Sequence, residues 1–353
     1  MGYDLEKYLL PVWSGDTVYY ETGAVLGEDG EITLLYKPEK ILGVYDYGLQ
    51  KTYREGVDYL IEGKKLRRVK GGALPFFAYD ELYAKDPPKH QILVQDNCPD
   101  RQAGWRYFSF GEEDTYTKKQ IAVSYTHKGV WTGSIPQGKA QRFQSFHKKL
   151  KNQERIDLVF YGDSITTGCN SSGTPMGGNT PPYAEPFPVM IKKRLETRYG
   201  LEIGYRNVAV GGWNSQQGLG AFEERVLCEN ADLMILGFGM NDGSTQTEIY
   251  RARIEEMLLR FREKNPNGEI VLLSPMLPNV ESNWLRNQPL FAETLYRLEE
   301  KYPFVGVADM TTMHGDLLAT GKRYRDMTGN NVNHPNDFLA RVYAQVILQT
   351  LLS

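Results

Sequence analysis

The sequence has little cysteine and little histidine, with three Cys and five His in 353 residues. Because Cys98, Cys169 and Cys228 are widely spaced, they match neither a zinc-binding pattern nor a disulfide framework. No run approaches the roughly 18 apolar residues that a membrane-spanning helix needs, and the first residues lack the apolar segment of a secretion signal. These absences predict a cytoplasmic, reducing location without insertion in a membrane.

The sequence also lacks an excess of charge of one sign, since 41 Lys and Arg and 44 Asp and Glu leave a net charge of -3. This balance provides no strongly basic field for a nucleic acid or an anionic membrane surface. A metal-ligand cluster, a phosphate-binding glycine loop and a dinucleotide fingerprint are all missing from the sequence. We therefore expect no cofactor, no metal, no nucleic-acid partner and no membrane partner, and we leave the oligomeric state open.

The first part of the chain, residues 1–135, has the pattern of an all-β sandwich domain. Short runs of β-branched and aromatic residues alternate there with turn residues, and few segments show helical periodicity. The predicted strands lie at residues 17–20, 24–26, 32–36, 41–45, 59–61, 107–110 and 121–125. The dipeptide Asp29-Gly30 predicts that residues 24–26 and 32–36 pair as a β-hairpin. Antiparallel, jelly-roll-like sheets are therefore expected before residue 136.

The second part, residues 136–353, alternates short apolar runs with helical patterns. The predicted strands lie at residues 158–161, 208–210 (the end of a strand), 233–236, 270–273 and 305–308. The predicted helices lie at residues 143–150, 188–198, 254–261 and 338–351. Strands this apolar, separated by helices, predict a parallel sheet that is covered on both faces. Ligands bind such sheets beyond the carboxyl ends of the strands, which is where functional residues are expected.

Polar residues that suit acyl chemistry follow these strands in order. Ser164 lies in Gly162-Asp163-Ser164 after the first strand, Gly212 follows the second, Asn241 follows the third, and His334 precedes the last helix. A serine at a strand-to-helix turn is exposed for attack, and nearby N–H groups can bind an oxyanion. Each feature alone also fits a helix cap, a tight turn, an Asx-turn or a structural histidine.

Only one other histidine competes with His334. His314 also follows a strand of the second part, whereas His147 lies in a lysine-rich helix and His90 and His127 lie in the β-rich part. The residues alone therefore leave His334 and His314 as the candidate bases.

Together, Gly162-Asp163-Ser164, Gly212, Asn241 and His334 resemble the motifs of the SGNH/GDSL hydrolase superfamily over about residues 155–353. The resemblance implies a flavodoxin-like three-layer α/β/α domain in which Ser164 attacks an ester carbonyl and His334 is the base. It also implies an oxyanion hole formed by the N–H groups of Ser164 and Gly212 and by the side-chain amide of Asn241.

One position departs from the superfamily pattern. Many members carry Asp three residues before the histidine, but this sequence has Asn331 there. The site is therefore either a Ser–His dyad or a triad in which another group orients His334, with Asp326 and Asn331 as the candidates that we favour over Asp337 and a backbone carbonyl. Some carbohydrate esterases of the superfamily lack the acid and carry a β-sandwich before the catalytic domain, and this chain resembles them.

Two tryptophans suggest the substrate. Trp213 and Trp284 follow strands and either stack on a sugar ring or fill the core. No long apolar groove is evident, which disfavours a triglyceride lipase. The favoured function is therefore hydrolysis of small acyl esters, especially acetyl esters of a carbohydrate, with a small-molecule or saccharide ester as the partner. Two alternatives are an acyltransferase that uses the same site and an inert glycan-binding protein.

Overall fold

The computed structural model describes residues 3–353, so the first two residues of the predicted sandwich domain lie outside the description. The strands are β1 (Thr17–Gly23), β2 (Glu31–Thr33), β3 (Pro38–Asp46), β4 (Thr52–Tyr53), β5 (Tyr59–Glu62), β6 (Lys65–Arg68), β7 (Tyr83–Ala84), β8 (Tyr107–Phe108), β9 (Ile121–His127), β10 (Ile156–Gly162), β11 (Ile203–Asn207), β12 (Leu233–Gly237), β13 (Glu269–Leu273) and β14 (Val305–Ala308).

The α-helices are α1 (Leu5–Tyr8), α2 (Tyr79–Leu82), α3 (Gln144–Asn152), α4 (Ser164–Thr167), α5 (Phe187–Tyr199), α6 (Ser215–Gly220), α7 (Thr247–Lys264), α8 (Phe291–Lys301), α9 (Met310–Ala319), α10 (Tyr324–Met327) and α11 (Asp337–Leu352). Short 3₁₀ segments lie at Thr117–Lys119, Ala140–Arg142, Pro175–Gly177, Met240–Asp242 and Gln288–Leu290, and a π-helical segment lies at Glu223–Leu227. Within residues 3–353, no helix is both long enough and apolar enough to cross a membrane.

A parallel sheet forms the centre of the second half, with the strand order β11-β10-β12-β13-β14. This order is that of the flavodoxin-like doubly wound fold, so the predicted fold class is confirmed. The strands β12, β13 and β14 are buried along their whole length, as expected for a sheet covered on both faces. β11 ends at Asn207, earlier than predicted, and residues 208–210 extend past its end.

Helices bury both faces of this sheet. α5 and α11 pack together on one face, within a core that includes Phe187, Leu195 and Tyr343. α7 and α8 pack on the other face, where Tyr250 stacks on Phe291. This arrangement leaves the carboxyl end of the sheet as the edge at which loops meet.

The first half consists of antiparallel sheets, which confirms its all-β class. One sheet has the order β1-β9-β3-β4, a second has the order β2-β6-β5, and β7 pairs with β8. The predicted hairpin around Asp29-Gly30 is wrong, because β2 pairs with β6 instead of residues 24–26. The backbone beside the turn is already bonded to Phe77, which donates to the carbonyl of Val25 and accepts from the N–H of Gly27.

The two halves share one hydrophobic core, which contains residues of β1 and β9 together with residues of α5 and α11. On α11, the Gln345 side chain accepts from the N–H of Val12 and donates to the carbonyls of Tyr8 and Leu10. Farther along the interface, the buried Lys322 ammonium lies 2.7 Å from Glu21. The first half therefore covers the closing helix of the second half, while the boundary at residues 135/136 stays a prediction.

Candidate active site

Ser164 lies at the point where the strand order of the parallel sheet reverses. β10 ends beside β12, where Gly162 pairs with Gly237, and a Cβ on Gly162 would come within 2.3 Å of the Gly237 carbonyl oxygen. Asp163 then caps α4 by accepting from the N–H of Ile165 at 3.0 Å. Burial raises the pKa of Asp163 to about 7. Asp163 thus supports the turn that carries Ser164.

His334 brings its ring to this turn from the loop before α11. Its Nε2 lies 2.8 Å from the Ser164 Oγ. The loop is held by Asn330, whose Oδ1 accepts from the N–H groups of Val332, Asn333 and His334 at 3.1, 3.0 and 3.0 Å. The structure therefore brings together the serine and the histidine that the motifs selected.

The other ring nitrogen of His334 faces two acceptors. Its Nδ1 lies 2.8 Å from Asn170 Oδ1 and 3.3 Å from Glu112 Oε2. Since both neighbours accept hydrogen bonds, the ring proton belongs on Nδ1. Nε2 is then unprotonated and accepts a hydrogen bond from the Ser164 hydroxyl, which is the tautomer that a general base needs.

Neither candidate that the sequence favoured for orienting His334 contacts the ring, which corrects that prediction. The carboxylate of Asp326 instead accepts from the N–H of Ala24 at 2.8 Å and from the N–H of Arg323 at 2.7 Å. Asn331 has a left-handed backbone with φ of 62°, and its side-chain Nδ2 has no partner within residues 3–353.

Asp337, the remaining acidic candidate, is also bonded elsewhere. Its Oδ1 accepts from the N–H of Ser172 at 2.8 Å, and burial raises its pKa to about 6. The groups that do contact Nδ1, Asn170 and Glu112, were missed by the sequence reasoning. Asn170 follows Ser164 closely and has a left-handed backbone that asparagine tolerates, with φ of 62°. No sequence signal connects Glu112 with the histidine.

The proposed oxyanion donors lie in two loops beside Ser164. Gly212 occupies a turn in which the N–H of Trp213 donates to the carbonyl of Val210 at 3.3 Å, and its φ of 79° favours glycine. The Asn241 Nδ2 donates to the Trp213 carbonyl at 2.9 Å, which leaves its second hydrogen available. Ser164, Gly212 and Asn241 all line one cavity with His334.

This cavity has a volume of about 590 Å³ and is walled by both halves of the chain. Gln91, Ile92, Phe110 and Glu112 come from the first half, and Asn283, Trp284 and Arg286 come from the loop after β13. The loop is anchored across the halves, because Asn283 donates its backbone N–H to the carbonyl of Leu93 at 3.0 Å.

Of the two tryptophans, only Trp284 lines this cavity, and its residue surface is 37% exposed. Trp213 does not line the cavity, because its ring packs against the core beneath α7 and α8 and lies 4.9 Å from the Arg225 guanidinium. Trp213 thus contributes packing with its ring and an acceptor for Asn241 with its carbonyl.

His314, the rival histidine, lies outside the cavity. It is buried in α9, and its Nδ1 accepts from the N–H of Leu277 at 3.1 Å. Burial lowers its pKa to about 3. Across the described part of the chain, no group of three or more His, Cys, Asp or Glu side chains is arranged to hold a metal ion.

Comparison with known sequences gives one family. The sequence model described as the GDSL-like lipase/acylhydrolase family matches residues 160–341, a range that includes Ser164, Gly212, Asn241 and His334. A search of curated proteins gives no match.

Among solved structures, the chain is similar to a two-domain esterase (CEX) active on acetylated mannans and co-crystallised with mannopentaose, with 21% identity and a TM-score of 0.49 over 60% of this chain and 53% of that one. The chain thus spans about half the length of that esterase. It is also similar to Axe2, an acetylxylan esterase from Geobacillus stearothermophilus, with 18% identity and a TM-score of 0.47 over 56% of this chain and 94% of that one. The acetyl xylan esterase AlAXEase matches with 17% identity and a TM-score of 0.44 over 54% of this chain and 98% of that one.

Proposed function

This chain belongs to the GDSL-like lipase/acylhydrolase family, as the motifs predicted, and from that premise we propose that it is a serine esterase that hydrolyses small acyl esters. One observation carries the proposal. The Ser164 hydroxyl lies 2.8 Å from His334 Nε2 on the wall of a cavity that Gly212 and Asn241 also line.

The first half-reaction forms an acyl-enzyme. As the Ser164 Oγ attacks the ester carbonyl, its proton passes to His334 Nε2. The carbonyl oxygen becomes an oxyanion, which accepts hydrogen bonds from the N–H groups of Ser164 and Gly212 and from Asn241 Nδ2. When the tetrahedral intermediate collapses, the C–O bond to the alcohol breaks and His334 returns the proton to the leaving oxygen.

The second half-reaction releases the acid. A water molecule gives its proton to His334 Nε2 as its oxygen attacks the acyl carbonyl. The bond between the acyl carbon and the Ser164 Oγ then breaks, and His334 returns the proton to that Oγ. Throughout, the His334 Nδ1–H donates to Asn170, which holds the ring plane and the tautomer.

The cavity wall supports a saccharide as the alcohol part of the ester. An exposed indole face at Trp284 suits the C–H face of a sugar ring, and the amides of Gln91 and Asn283 provide donors and acceptors for hydroxyl groups. The same wall carries the charged side chains of Lys89 and Arg286, which suit a hydroxylated substrate better than a long acyl chain. An acetyl ester of a carbohydrate is therefore the proposed substrate.

The proposal is tested with p-nitrophenyl acetate and an acetylated oligosaccharide. We expect Ser164→Ala and His334→Ala to lose activity by about 10³-fold or more, whereas Ser145→Ala on α3, outside the cavity, should match the parent. A phosphonate ester should label the parent at Ser164, as mass spectrometry of the peptides would show. An inert parent without label would refute the esterase.

The acyltransferase alternative shares every step up to the acyl-enzyme. Only the group that accepts the acyl differs, so the same assay is run with and without an added sugar alcohol. Formation of a new ester in place of free acetate would identify a transferase. An inert glycan-binding protein would bind the oligosaccharide but would neither release acetate nor take the label.

A further inference from the structure

The carboxylate of Glu112 has an unusual place in this active site, because it comes from the all-β half of the chain. Glu112 lies between β8 and β9, yet its Oε2 is 3.3 Å from Nδ1 of His334, which lies 222 positions away in the sequence. Within residues 3–353, this is the only ion-pair partner of Glu112 within 4.0 Å.

Several contacts hold Glu112 against the histidine loop. Its Oε1 accepts from Asn330 Nδ2 at 3.3 Å, and Asn330 is the residue that folds the backbone around His334. The next residue, Glu113, donates its N–H to the carbonyl of Met176 at 3.1 Å, in the loop that follows the nucleophile. The Glu112 segment is thus attached to both loops that carry the reacting groups.

Asn170 connects His334 with the segment that carries Glu112. Its Oδ1 accepts from His334 Nδ1 at 2.8 Å, while its Nδ2 donates to the carbonyl of Glu113 at 3.3 Å. The asparagine therefore takes the shorter hydrogen bond when the ring is neutral. When the ring becomes an imidazolium, an amide cannot offset the new charge, but a carboxylate close to Nδ1 can.

The carboxylate is available in its charged form. Burial alone would raise the pKa of Glu112, but its hydrogen bond and charge interaction with His334, together with the amides of Asn330 and Asn170, lower the pKa below its ordinary value. Its side chain keeps 25% of its surface exposed, so solvent weakens the interaction without removing it.

We propose that Glu112 is a positioning residue for His334 that stabilises the imidazolium formed during acyl transfer, so that the all-β half supplies the acid of a divided triad. This inference rests on the proposed esterase function. It gives the all-β half a direct part in catalysis, and it explains how the site functions without an aspartate at position 331.

The first test is Glu112→Gln, which removes the charge and keeps the shape. With p-nitrophenyl acetate, we expect kcat to fall about 10- to 100-fold with little change in KM, less than the about 10⁴-fold effect of a directly bonded aspartate in a serine protease. Glu112→Asp should recover part of the loss. Glu113→Gln is the matched control, since its side chain makes none of these contacts.

A purely structural role is separated by the pH profile. Without the neighbouring anion, the imidazolium is less stable, so the acid limb of kcat/KM should move to lower pH in Glu112→Gln. The other titratable or charged side chains on the cavity wall are Lys89, His90, Cys169 and Arg286, and they are identical in both proteins. A Glu112→Gln enzyme with the kcat and the acid limb of the parent would overturn the proposal.

Folding and function are checked separately. Thermal unfolding shows whether Glu112→Gln folds. If it does not, Glu112→Ala is titrated with formate, which should restore activity. A folded Glu112→Ala protein that formate does not rescue contradicts the proposal. If the parent hydrolyses esters while these results fail, only the role of Glu112 is wrong. If the parent neither reacts nor takes the phosphonate label, the inference fails together with the esterase.

Discussion

The carboxylate of Asp242 accepts two kinds of hydrogen bond from Ser215, one from the hydroxyl at 2.5 Å and one from the backbone N–H at 3.0 Å. Ser215 begins α6 shortly after Gly212, and Asp242 directly follows Asn241. The pair therefore joins the two loops that carry proposed oxyanion donors. Burial raises the pKa of Asp242, and the hydrogen bonds from Ser215 oppose that effect.

Removal of the Ser215 hydroxyl should loosen this connection without unfolding the site. In Ser215→Ala, the backbone N–H still reaches Asp242, so we expect kcat for p-nitrophenyl acetate to fall about 10-fold, less than the about 10²–10³-fold cost of losing a donor. KM should change little. Thr245→Val is the control, because Thr245 contacts Asp242 from within the same loop. Equal rates for the two variants would show that the connection does not matter.

Gly212→Ala should separate strain from catalysis. Its φ of 79° is unfavourable for alanine although a Cβ there would meet no atom within 4 Å, so we expect a loss of about 1 kcal/mol in the free energy of unfolding. Gly200→Ala, at φ of 66° with equally open space, is matched in strain but lies at the end of α5. Urea unfolding should show similar losses, whereas kcat should fall at least 10-fold only for Gly212→Ala.

The proposed site residues could be selected from the sequence because their short motifs occur together and in one order. Ser164 and Asn241 come shortly after apolar runs that become parallel strands, Gly212 follows an apolar run just past the end of β11, and His334 precedes an apolar helix. Parallel strands place their carboxyl ends at one edge, so residues far apart in the chain meet there. The order of these residues along the chain therefore predicts that they meet at one edge of the sheet.

Contacts between the halves could not be predicted in the same way. Glu112 reaches His334 only because the all-β half packs on α11, and no periodicity specifies that docking. The same limit explains the hairpin error at Asp29-Gly30. The dipeptide specified a turn, but the partner of β2 was decided by β6, which lies farther along the chain.

His314 should make the protein sensitive to acid. The folded state holds it neutral, with a pKa lowered by burial from 6.5 to about 3, so below pH 6.5 the unfolded chain binds a proton that the folded chain does not. Stability should therefore fall between pH 6.5 and about 3. His314→Asn keeps an acceptor for the N–H of Leu277, and its unfolding free energy should depend less on pH, by on the order of 2–4 kcal/mol.

The measurement is urea unfolding at several pH values for the parent, His314→Asn and His147→Asn. His147 lies on α3 and is partly exposed, so its variant controls for the loss of one histidine. The comparison uses the slope of the unfolding free energy against pH. A loss of stability from the smaller side chain that is the same at every pH therefore does not affect it. Identical slopes would mean that His314 takes up its proton in the folded state.

The two tryptophans should differ in how they affect a saccharide substrate and a minimal one. Trp284→Ala removes an exposed ring from the cavity wall, so KM for an acetylated oligosaccharide should rise about 10-fold, as expected for about 1.4 kcal/mol of lost contact. p-Nitrophenyl acetate is too small to need this wall, so its kcat/KM should change less than about twofold.

Trp213→Phe keeps the backbone carbonyl that Asn241 uses and alters only packing beside Arg225. Any effect of Trp213→Phe should therefore be equal for the two substrates, because it acts through the oxyanion loop that both share. If Trp284→Ala also changes both substrates equally, the indole does not bind the sugar, and the saccharide part of the proposed function must be abandoned while the esterase chemistry stands.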